Sequence, residues 1–268
     1  MTRIKLIATD MDGTLLRKGG VVSQRNKEAL RAARDAGIEV VLVTGRPPRW
    51  VDETARELGL DGVAICANGA ILYDLTTRQV LAENLLPADV LRRFVGALRE
   101  VLPGVGFGFE RNDGLVLEPH FHSLYDDEED GVLRQTGDAL LEVPVAKLLA
   151  SHPDVDFEKF LVAAVEAAGT DAVVTHSGEH GLVEVSATGI TKAFALEALC
   201  AERGISSDEV VAFGDMPNDV MLLHWAGLGV AVANAHPDAI DAADEVTKSN
   251  NEDGVAIVVE RLLAQRSA

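Results

Sequence analysis

The sequence predicts an α/β protein built on a doubly wound parallel sheet. Two short apolar runs rich in β-branched residues, at 3–9 and 38–44, have the pattern of strands that are covered on both faces. Helical segments alternate with such runs near both ends of the chain. This alternation is typical of a parallel sheet that has helices on both of its faces.

A change of rhythm in the middle third predicts an inserted α+β domain. The alternation stops near residue 70 and resumes near residue 190. Between these points, hairpin-like strand pairs and two helices replace the alternating pattern. We therefore expect residues 1–82 and 187–268 to form the main domain and residues 83–186 to form the insertion.

The first segment contains three predicted strands and two predicted helices. After the strand at 3–9, a helix covers "SQRNKEALRAARDAG", where Ser23 suits the N-cap and Gly37 suits the residue after the helix. After the strand at 38–44, a second helix has two prolines in its first turn and ends at Gly59. The third strand has the sequence "GVAICA".

The elements after residue 70 are predicted from the same kinds of sequence signal. A hairpin pairs "AILYDL" with "QVLAEN", a helix begins at Pro87 and ends near Gly104, and the turn "NDG" joins two paired strands. Further strands and one helix are predicted over "VAKLLA", "DVDFEKFLVAAVEAAG", "DAVVTHS" and "LVEVSA". The last segment alternates again over "TKAFALEALCAERG", "DEVVAFGD", "PNDVMLLHWAG", "LGVAVAN" and "DGVAIVVERLLAQ".

The charge of the chain argues against two classes of partner. The formal net charge is −19, whereas clustered Lys and Arg bind nucleic acids and anionic membranes. We therefore expect neither partner, and a small anionic substrate would need local cations. No apolar run reaches the roughly 18 residues of a membrane span, and no signal-peptide core is present. We expect a cytoplasmic monomer or homodimer in which Cys66 and Cys200 are buried free thiols.

Polar residues stand where the predicted strands of the main domain end. In an open α/β sheet, ligands bind beyond the carboxyl ends of the strands, where the strand order reverses. Residues from distant parts of the chain therefore converge on one edge of the sheet. The candidates are Asp10, Asp12, Thr44, Gly45, Arg46, Asn68, Lys192, Asp215, Asn218 and Asp219.

Four aspartates in this set point to a divalent cation. Their charges would raise one another's pKa if nothing neutralised them. Carboxylates with room for water and substrate phosphate suit Mg²⁺. Each acid taken alone is better explained as a helix cap or a solvated loop residue, but the common position of all four at strand ends favours a Mg²⁺ site.

Other phosphate and metal motifs are excluded by single residues. The stretch "DMDGTLLRKGGV" begins like a calcium loop but has Leu15 and Val21 where that loop needs Gly and Glu. No G-x-x-x-x-G-K-[ST] sequence occurs, and "GVGFGF" lacks the last glycine of G-x-G-x-x-G. The sequence therefore gives no sign of nucleotide triphosphate chemistry.

Five short sequences resemble the motifs of the haloacid dehalogenase superfamily of phosphohydrolases. In chain order they are "DMDGTL", "VTGR", "ANGA", "GITK" and "GDMPND". Their order and spacing are most similar to the Cof-type branch, which has a large α+β cap domain between the second and third motifs. The resemblance extends over nearly the whole chain, and it implies a Rossmann-like core with an inserted cap.

The resemblance implies a role for each matching residue. Asp10 would be the nucleophile that becomes an aspartyl phosphate, and Asp12 the acid that protonates the leaving oxygen and then activates water. Thr44 and Lys192 would hold the phosphoryl oxygens. The Asp10 carboxylate, the Asp12 backbone carbonyl and Asp215 would bind Mg²⁺.

The remaining candidates would support this chemistry. Asn218 and Asp219 would contact the metal only indirectly, and Asp219 would also pair with Lys192. Gly45, Arg46 and Asn68 would contact substrate together with Thr44 and Lys192. The cap would select the substrate, and its loops contain the candidate histidines His120, His122, His176 and His180.

The expected function is Mg²⁺-dependent hydrolysis of a small phosphorylated metabolite, of the sugar phosphate or phosphorylated cofactor class. In the family, an acid two residues after the nucleophile accompanies the hydrolysis of phosphate esters, and Asp12 is that acid. Two alternatives remain. The chain could be a phosphomutase of the same superfamily, or a non-catalytic regulatory protein that binds a phosphorylated metabolite.

Overall fold

The chain consists of two compact units. The computed structural model describes residues 3–122, 132–135, 137–177 and 181–267. Unit 1 comprises Met1–Ala82 and Thr191–Ala268, and unit 2 comprises Glu83–Ile190. Unit 2 thus includes residues 187–190, which the sequence assigned to the main domain, and its last strand extends to Ala187.

The first segment of unit 1 begins with a buried strand and contains two α-helices. Ser23 caps the first helix by accepting a hydrogen bond from the Asn26 backbone N–H, as its sequence predicts. The second helix ends at Gly59, which has a left-handed conformation with φ 65°. The elements are β1 (Leu6–Thr9), β2 (Leu16–Arg17), β3 (Val21–Val22), α1 (Gln24–Asp35), β4 (Glu39–Val43), α2 (Asp52–Leu58), β5 (Val63–Cys66), β6 (Ile71–Asp74) and β7 (Gln79–Glu83).

Within its described residues, unit 2 contains two α-helices and one antiparallel-dominated sheet. Asn112 and Asp113 form the tight connection that the "NDG" sequence predicts, because Arg111 pairs with Gly114 across it. The elements are α3 (Ala88–Val101), β8 (Gly106–Arg111), β9 (Gly114–Leu117), β10 (Val132–Arg134), β11 (Lys147–Ser151), α4 (Phe157–Ala168), β12 (Ala172–Thr175) and β13 (Leu182–Ala187).

The second segment of unit 1 resumes the alternation of helix and strand. Its elements are α5 (Lys192–Arg203), β14 (Val210–Gly214), α6 (Val220–Trp225), β15 (Leu228–Ala231), α7 (Pro237–Ala242), β16 (Glu245–Val246) and α8 (Gly254–Ser267). The sequence pattern did not predict β2, β3, β10, α7 and β16. These elements are two to six residues long, which is too short to show a hydrophobic period.

The sheet of unit 1 confirms the doubly wound architecture. Its strand order is β16-β15-β14-β1-β4-β5-β6-β7, and neighbouring strands from β16 to β5 are parallel. The β5–β6 pairing is antiparallel, so a hairpin edge completes the sheet. The chain leaves β1 in one direction toward β4 and later leaves β14 in the other direction toward β15. The strand order therefore reverses between β1 and β14.

This reversal places helices on both faces of the sheet. Crossover connections between parallel strands are right-handed, so crossovers that run in opposite directions lie on opposite faces. Helices α5 and α6 pack against the face that carries Leu6, Val41 and Val210. Helix α1 contacts α8 and β4. In the described part of the chain, no helix combines the length and the apolar character needed to cross a bilayer.

The sheet of unit 2 has one face covered by helices. Its strand order is β10-β9-β8-β11-β13-β12, and Phe107, Leu148 and Val185 point to the face on which α3 and α4 form an apolar core. The opposite face carries a smaller apolar cluster around Leu117, Phe121 and Leu149. Because side chains alternate along a strand, this second face also receives Glu110, Lys147 and Glu184.

Candidate active site

Four neighbouring strands bring the candidate residues of unit 1 to one edge of its sheet. Asp10 follows β1, Thr44 follows β4, Asn68 follows β5 and Asp215 follows β14. These strands are adjacent and parallel, so their carboxyl ends meet. All four residues are buried. The structure thus brings together residues that are up to 205 positions apart, and it does so where the strand order reverses.

Lys192 is the buried cation of this edge. It is the first residue of α5, where Thr191 caps the helix by accepting a hydrogen bond from the Phe194 backbone N–H. Its ammonium donates to Asp10 Oδ1 at 2.6 Å and to Asp219 Oδ1 at 2.7 Å. The Lys192 side chain is only 1% exposed. Burial alone would lower the pKa of Lys192, but the two carboxylates outweigh it and raise that pKa.

Asp219, the second partner of Lys192, is itself held in place by backbone hydrogen bonds. Its second oxygen, Oδ2, accepts hydrogen bonds from the backbone N–H groups of Asp215 and Met216, at 3.0 and 3.1 Å. A Cβ atom at Gly214 would lie 2.4 Å from Asp219 Cβ, so only glycine fits there. Both oxygens of Asp219 are therefore engaged by protein groups, which agrees with a supporting role.

Asp215 is held by the loop that follows β1. Thr14 Oγ1 donates a hydrogen bond to Asp215 Oδ1 at 2.7 Å. Gly13 has φ +79°, and a Cβ on it would lie 2.2 Å from Asp215 Oδ2. The sequence did not indicate this contact of Thr14. The partner is 201 residues away, and no local pattern signals it.

Two carboxyl groups of this site, Asp10 and Asp215, have raised pKa values. Burial raises the pKa of Asp215 from 3.8 to about 7, with a further contribution from the charge of Asp219. Burial also raises the pKa of Asp10 well above its usual range, against the opposing attraction of Lys192. Desolvation contributes more than mutual repulsion in both cases. A bound cation would relieve both effects.

The same acids offer ligands for a metal ion. One oxygen each from Asp10, Asp215 and Asp219 lie within 4.8 Å of one another. An all-oxygen donor set of carboxylates suits Mg²⁺ better than a softer metal. Because Asp219 is already bonded to Lys192 and to two backbone N–H groups, Asp10 and Asp215 are the better candidates for direct ligands. The residues present therefore fit a Mg²⁺ site.

Asp12 lies at the exposed side of this loop and pairs with Arg46. Arg46 Nε donates to Asp12 Oδ2 and Arg46 Nη2 donates to Asp12 Oδ1, both at 2.6 Å. The Asp12 side chain is 55% exposed. The backbone N–H of Arg46 donates to Thr44 Oγ1 at 3.1 Å, and Gly45 links the two residues. Sequence reasoning placed Arg46 on the substrate and missed its pairing with Asp12.

Asn68 and Asn218 form an amide pair beside the acids. Asn218 Nδ2 donates to Asn68 Oδ1 at 3.1 Å, and Asn68 has a left-handed conformation with φ 57°. A Cβ on the next residue, Gly69, would lie 2.2 Å from the Thr191 carbonyl oxygen. The loop after β5 therefore approaches the start of α5 closely, which joins the "ANGA" and "GITK" sequences in space.

The candidate histidines lie in unit 2 where the structure describes them. His120 and His122 are exposed, and the His122 backbone N–H donates to Ser151 Oγ at 3.1 Å. His176 packs edge-on against the Phe157 ring, with 5.1 Å between the ring centroids. His180 lies outside the described residues. The part that these four histidines play in substrate binding stays a prediction.

The fold and the strand-end site define a class of protein, a doubly wound α/β protein with an acidic, lysine-containing site at the reversal of strand order. A family model for haloacid dehalogenase-like hydrolases matches residues 7–259. The chain belongs to the haloacid dehalogenase-like hydrolases. This match confirms the superfamily, the fold class and the enzyme class predicted from the sequence.

Relatives and solved structures agree with this family. The chain is 30% identical to the 5-amino-6-(5-phospho-D-ribitylamino)uracil phosphatase YwtE of Bacillus subtilis, over 99% of this chain and 100% of that protein. It is 30% identical to the pyridoxal phosphate phosphatase YbhA of Escherichia coli, with 94% and 96% covered. A crystal structure of a haloacid dehalogenase-like hydrolase from Bacteroides thetaiotaomicron has a TM-score of 0.79 and 31% identity, with 97% and 100% covered.

Proposed function

We propose that this protein is a Mg²⁺-dependent phosphatase that hydrolyses a small phosphorylated metabolite through an aspartyl-phosphate intermediate. The observation that carries the proposal is the buried Asp10 carboxylate, held at 2.6 Å by Lys192 beside Asp215. A carboxylate fixed in this way is oriented for attack on phosphorus, and the adjacent cation offsets the charge of an incoming phosphoryl group. The metabolite class is a sugar phosphate or a phosphorylated cofactor, which the substrates named for the two relatives support.

The first step transfers the phosphoryl group to Asp10. An Asp10 oxygen forms a bond to phosphorus while the bond from phosphorus to the ester oxygen breaks. Asp12 gives its proton to that leaving oxygen. Thr44 and Lys192 donate hydrogen bonds to the phosphoryl oxygens, with Gly45, Arg46 and Asn68 around them. Because Arg46 holds both oxygens of Asp12 in this structure, Asp12 exchanges Arg46 for the leaving oxygen during this step.

The second step regenerates the enzyme. The Asp12 carboxylate takes a proton from water, whose oxygen attacks phosphorus and releases Asp10 and inorganic phosphate. When bound by Asp10, the Asp12 backbone carbonyl and Asp215, Mg²⁺ would neutralise charge on the transferring group. Asp219 keeps Lys192 in place through its hydrogen bonds, and Asn218 orients Asn68. The insertion, residues 83–186 by the sequence, selects the substrate in this proposal.

The Asp10→Asn substitution tests the nucleophile. Asparagine has nearly the size of aspartate, but its amide oxygen is a poor nucleophile. The rate of Mg²⁺-dependent hydrolysis of p-nitrophenyl phosphate should therefore fall at least a thousandfold. Circular dichroism and the melting temperature show whether the variant is folded. Asp35→Asn, the same change at an exposed position on α1, is the matched control and should retain turnover. Substantial turnover by folded Asp10→Asn protein would contradict the assignment.

A further inference from the structure

Three asparagine side chains hold the loop that follows the proposed nucleophile. The loop covers residues 13–16 and leads into β2. Each asparagine donates a side-chain N–H to one backbone carbonyl oxygen of this loop: Asn234 to Gly13 at 2.8 Å, Asn26 to Leu15 at 3.2 Å and Asn250 to Leu16 at 2.8 Å. We call these three asparagines the asparagine clamp. The proposed chemistry uses none of them.

Two members of the asparagine clamp also accept hydrogen bonds, which explains the choice of residue. Asn234 Oδ1 accepts from the Asn250 backbone N–H at 2.9 Å, and Asn26 Oδ1 accepts from the Ala256 backbone N–H at 3.0 Å. An amide side chain donates and accepts at the same time, whereas an ionised carboxylate of the same shape cannot donate to a carbonyl oxygen. The asparagine clamp therefore joins the loop after β1 to the segment around the start of α8.

The members of the asparagine clamp differ in burial. Asn26 is 0% and Asn250 is 7% exposed, whereas Asn234 is exposed. Removing a buried side chain leaves a buried carbonyl oxygen without its partner and lowers stability, whereas water can replace a hydrogen bond at an exposed position. Stability therefore accounts for Asn26 and Asn250, and it accounts for little of Asn234.

The peptide to which Asn234 is bonded lies between the two residues that contact Asp215. Thr14 Oγ1 donates to Asp215 Oδ1 at 2.7 Å. Gly13 lies so close to Asp215 that a Cβ on it would be 2.2 Å from Oδ2. Gly13 and Thr14 therefore border both oxygens of the Asp215 carboxylate. Asn26 and Asn250 are bonded to carbonyl groups further along the loop.

The loop after β15 holds Asp215 at a second point. The His236 backbone N–H donates to the Asp215 carbonyl oxygen at 2.7 Å, and Asn234 is only two residues before His236. One loop thus fixes the Asp215 backbone directly and borders its side chain through the Gly13–Thr14 peptide. Such an arrangement limits the directions that the carboxylate can take.

We propose that Asn234 is a positioning residue that orients Asp215 for Mg²⁺ binding through the Gly13–Thr14 peptide. The inference rests on the Mg²⁺ site of the proposed function and adds to it a residue outside the expected ligand set. The Asn250 backbone N–H keeps the Asn234 side chain in place. A carboxylate that is already oriented loses less conformational freedom when it binds a cation, so Asn234 raises the affinity for Mg²⁺.

Mg²⁺ binding measured without substrate tests the proposal. Asn234→Ala should raise the dissociation constant for Mg²⁺ about three- to tenfold, the value of one hydrogen bond, in calorimetric titrations of the EDTA-treated protein. The Mg²⁺ concentration that gives half-maximal hydrolysis of p-nitrophenyl phosphate should rise by a similar factor. The melting temperature in EDTA should change little, because the bond is at an exposed position. Unchanged Mg²⁺ affinity in the folded variant would overturn the proposal.

Two other asparagine variants separate positioning from general support of the loop. Asn251 Oδ1 accepts from the Lys18 backbone N–H at 3.1 Å, at the turn between β2 and β3. Asn251→Ala is therefore the matched control and should leave Mg²⁺ affinity unchanged. Asn250→Ala removes the buried bond to Leu16 and keeps the backbone N–H that holds Asn234. It should lower the melting temperature by several degrees and weaken Mg²⁺ binding less than Asn234→Ala does. The reverse order in Mg²⁺ affinity would contradict the proposal.

Combining two substitutions tests the route through Thr14. Thr14→Val has nearly the same shape and removes the hydroxyl that is bonded to Asp215. If Asn234 acts through this residue, the fold-change in Mg²⁺ affinity caused by Asn234→Ala should be smaller in the Thr14→Val background than in the wild type. Equal fold-changes in the two backgrounds would show that Asn234 does not act through Thr14, and the proposed route would be wrong.

The outcomes separate this inference from the proposed function. If the wild type binds Mg²⁺ and hydrolyses p-nitrophenyl phosphate, but Asn234→Ala matches Asn251→Ala in Mg²⁺ affinity, the inference is wrong and the proposed function stands. If the wild type binds Mg²⁺ but hydrolyses no phosphate ester, the phosphatase proposal fails, and the same affinities decide the inference by themselves. If the wild type does not bind Mg²⁺, the metal of the proposed function and this inference are both wrong.

Discussion

Asp215 illustrates the conflict between folding and function at the level of single residues. Burial raises its pKa to about 7 in the metal-free protein, so near neutral pH the folded chain holds a carboxyl group that resists ionisation. A residue selected only for stability at this position would be neutral. The ionised form of Asp215 becomes favourable once a cation neutralises it. A buried aspartate at this position therefore indicates a bound cation rather than a structural role.

The stability of the metal-free protein should depend on this residue and on pH. Asp215 ionises near 3.8 in the unfolded chain and near 7 in the folded one, so stability falls as pH rises through this range. The gain in melting temperature on adding Mg²⁺ should therefore be larger at pH 8 than at pH 5.5. Thermal melts with EDTA or with Mg²⁺ at both pH values measure this, and equal gains would contradict it.

The Asp215→Asn substitution should raise the melting temperature of the metal-free protein, whereas most substitutions lower it. In EDTA at pH 8 its melting temperature should exceed that of the wild type by a few degrees, because the buried charge is gone while Thr14 retains an oxygen to bond. The gain on adding Mg²⁺ should be largely lost. Asp35→Asn, at an exposed site, should change neither quantity. A melting temperature in EDTA below that of the wild type would contradict this account.

At the level of elements, the site depends on how tightly neighbouring loops approach one another. The loop after β1 passes over Asp215, and the loop after β5 passes against the start of α5. Each close approach occurs at a glycine, Gly13 in the first case and Gly69 in the second. The strands fix the direction of the loops, and the glycines set the distances between them.

Gly13→Ala should disable the site through contact rather than through backbone strain alone. The added Cβ would lie 2.2 Å from Asp215 Oδ2, so Asp215 must move, and Mg²⁺-dependent turnover should fall at least tenfold. Gly37→Ala is the matched control, since Gly37 has φ +76° and open space around it. Both variants should lose about 1–2 kcal/mol from the left-handed conformation. Equal turnover in the two folded variants would show that the contact does not matter.

The sequence correctly predicted which residues meet at the carboxyl ends of the strands. Asp10, Thr44 and Asp215 could be placed together because parallel strands end at one edge, so a position in sequence translates into a position in space. The contacts Thr14–Asp215 and Arg46–Asp12 could not be predicted, because they depend on side-chain directions in loops. The buried ion pair of Lys147 and Glu184 could not be predicted either, because it depends on how β11 and β13 pair, which the sequence does not show.

At the level of the whole molecule, the two units differ in how the chain builds them. Unit 2 is one continuous segment with its own sheet and apolar core, whereas unit 1 is assembled from two segments. A continuous segment of about 100 residues with its own core has the properties of an independent domain. Most of the acidic net charge lies in unit 2, because residues 83–190 contain 20 acidic and 7 basic residues.

A fragment of residues 83–190 should therefore fold on its own. It should give a cooperative thermal transition and native-like circular dichroism. The shorter fragment 83–186, which ends at the boundary expected from the sequence, is the matched comparison. It lacks Ala187, which pairs with Ala172, and Thr188, whose hydroxyl donates to the Thr170 carbonyl at 2.8 Å, so it should melt several degrees lower. An uncooperative transition in the longer fragment would refute this view.

The division of unit 1 also determines when the site can form during synthesis. Asp10 and Lys192 are 182 residues apart, and Thr14 and Asp215 are 201 apart. Unit 2 therefore leaves the ribosome complete before β1 can meet its partner β14. Until then Asp10 is without the Lys192 ammonium to which it is bonded in the folded protein, so the proposed nucleophile of a nascent chain is not yet part of an assembled site. The site therefore forms late in synthesis, when β1 pairs with β14, rather than gradually as the chain emerges.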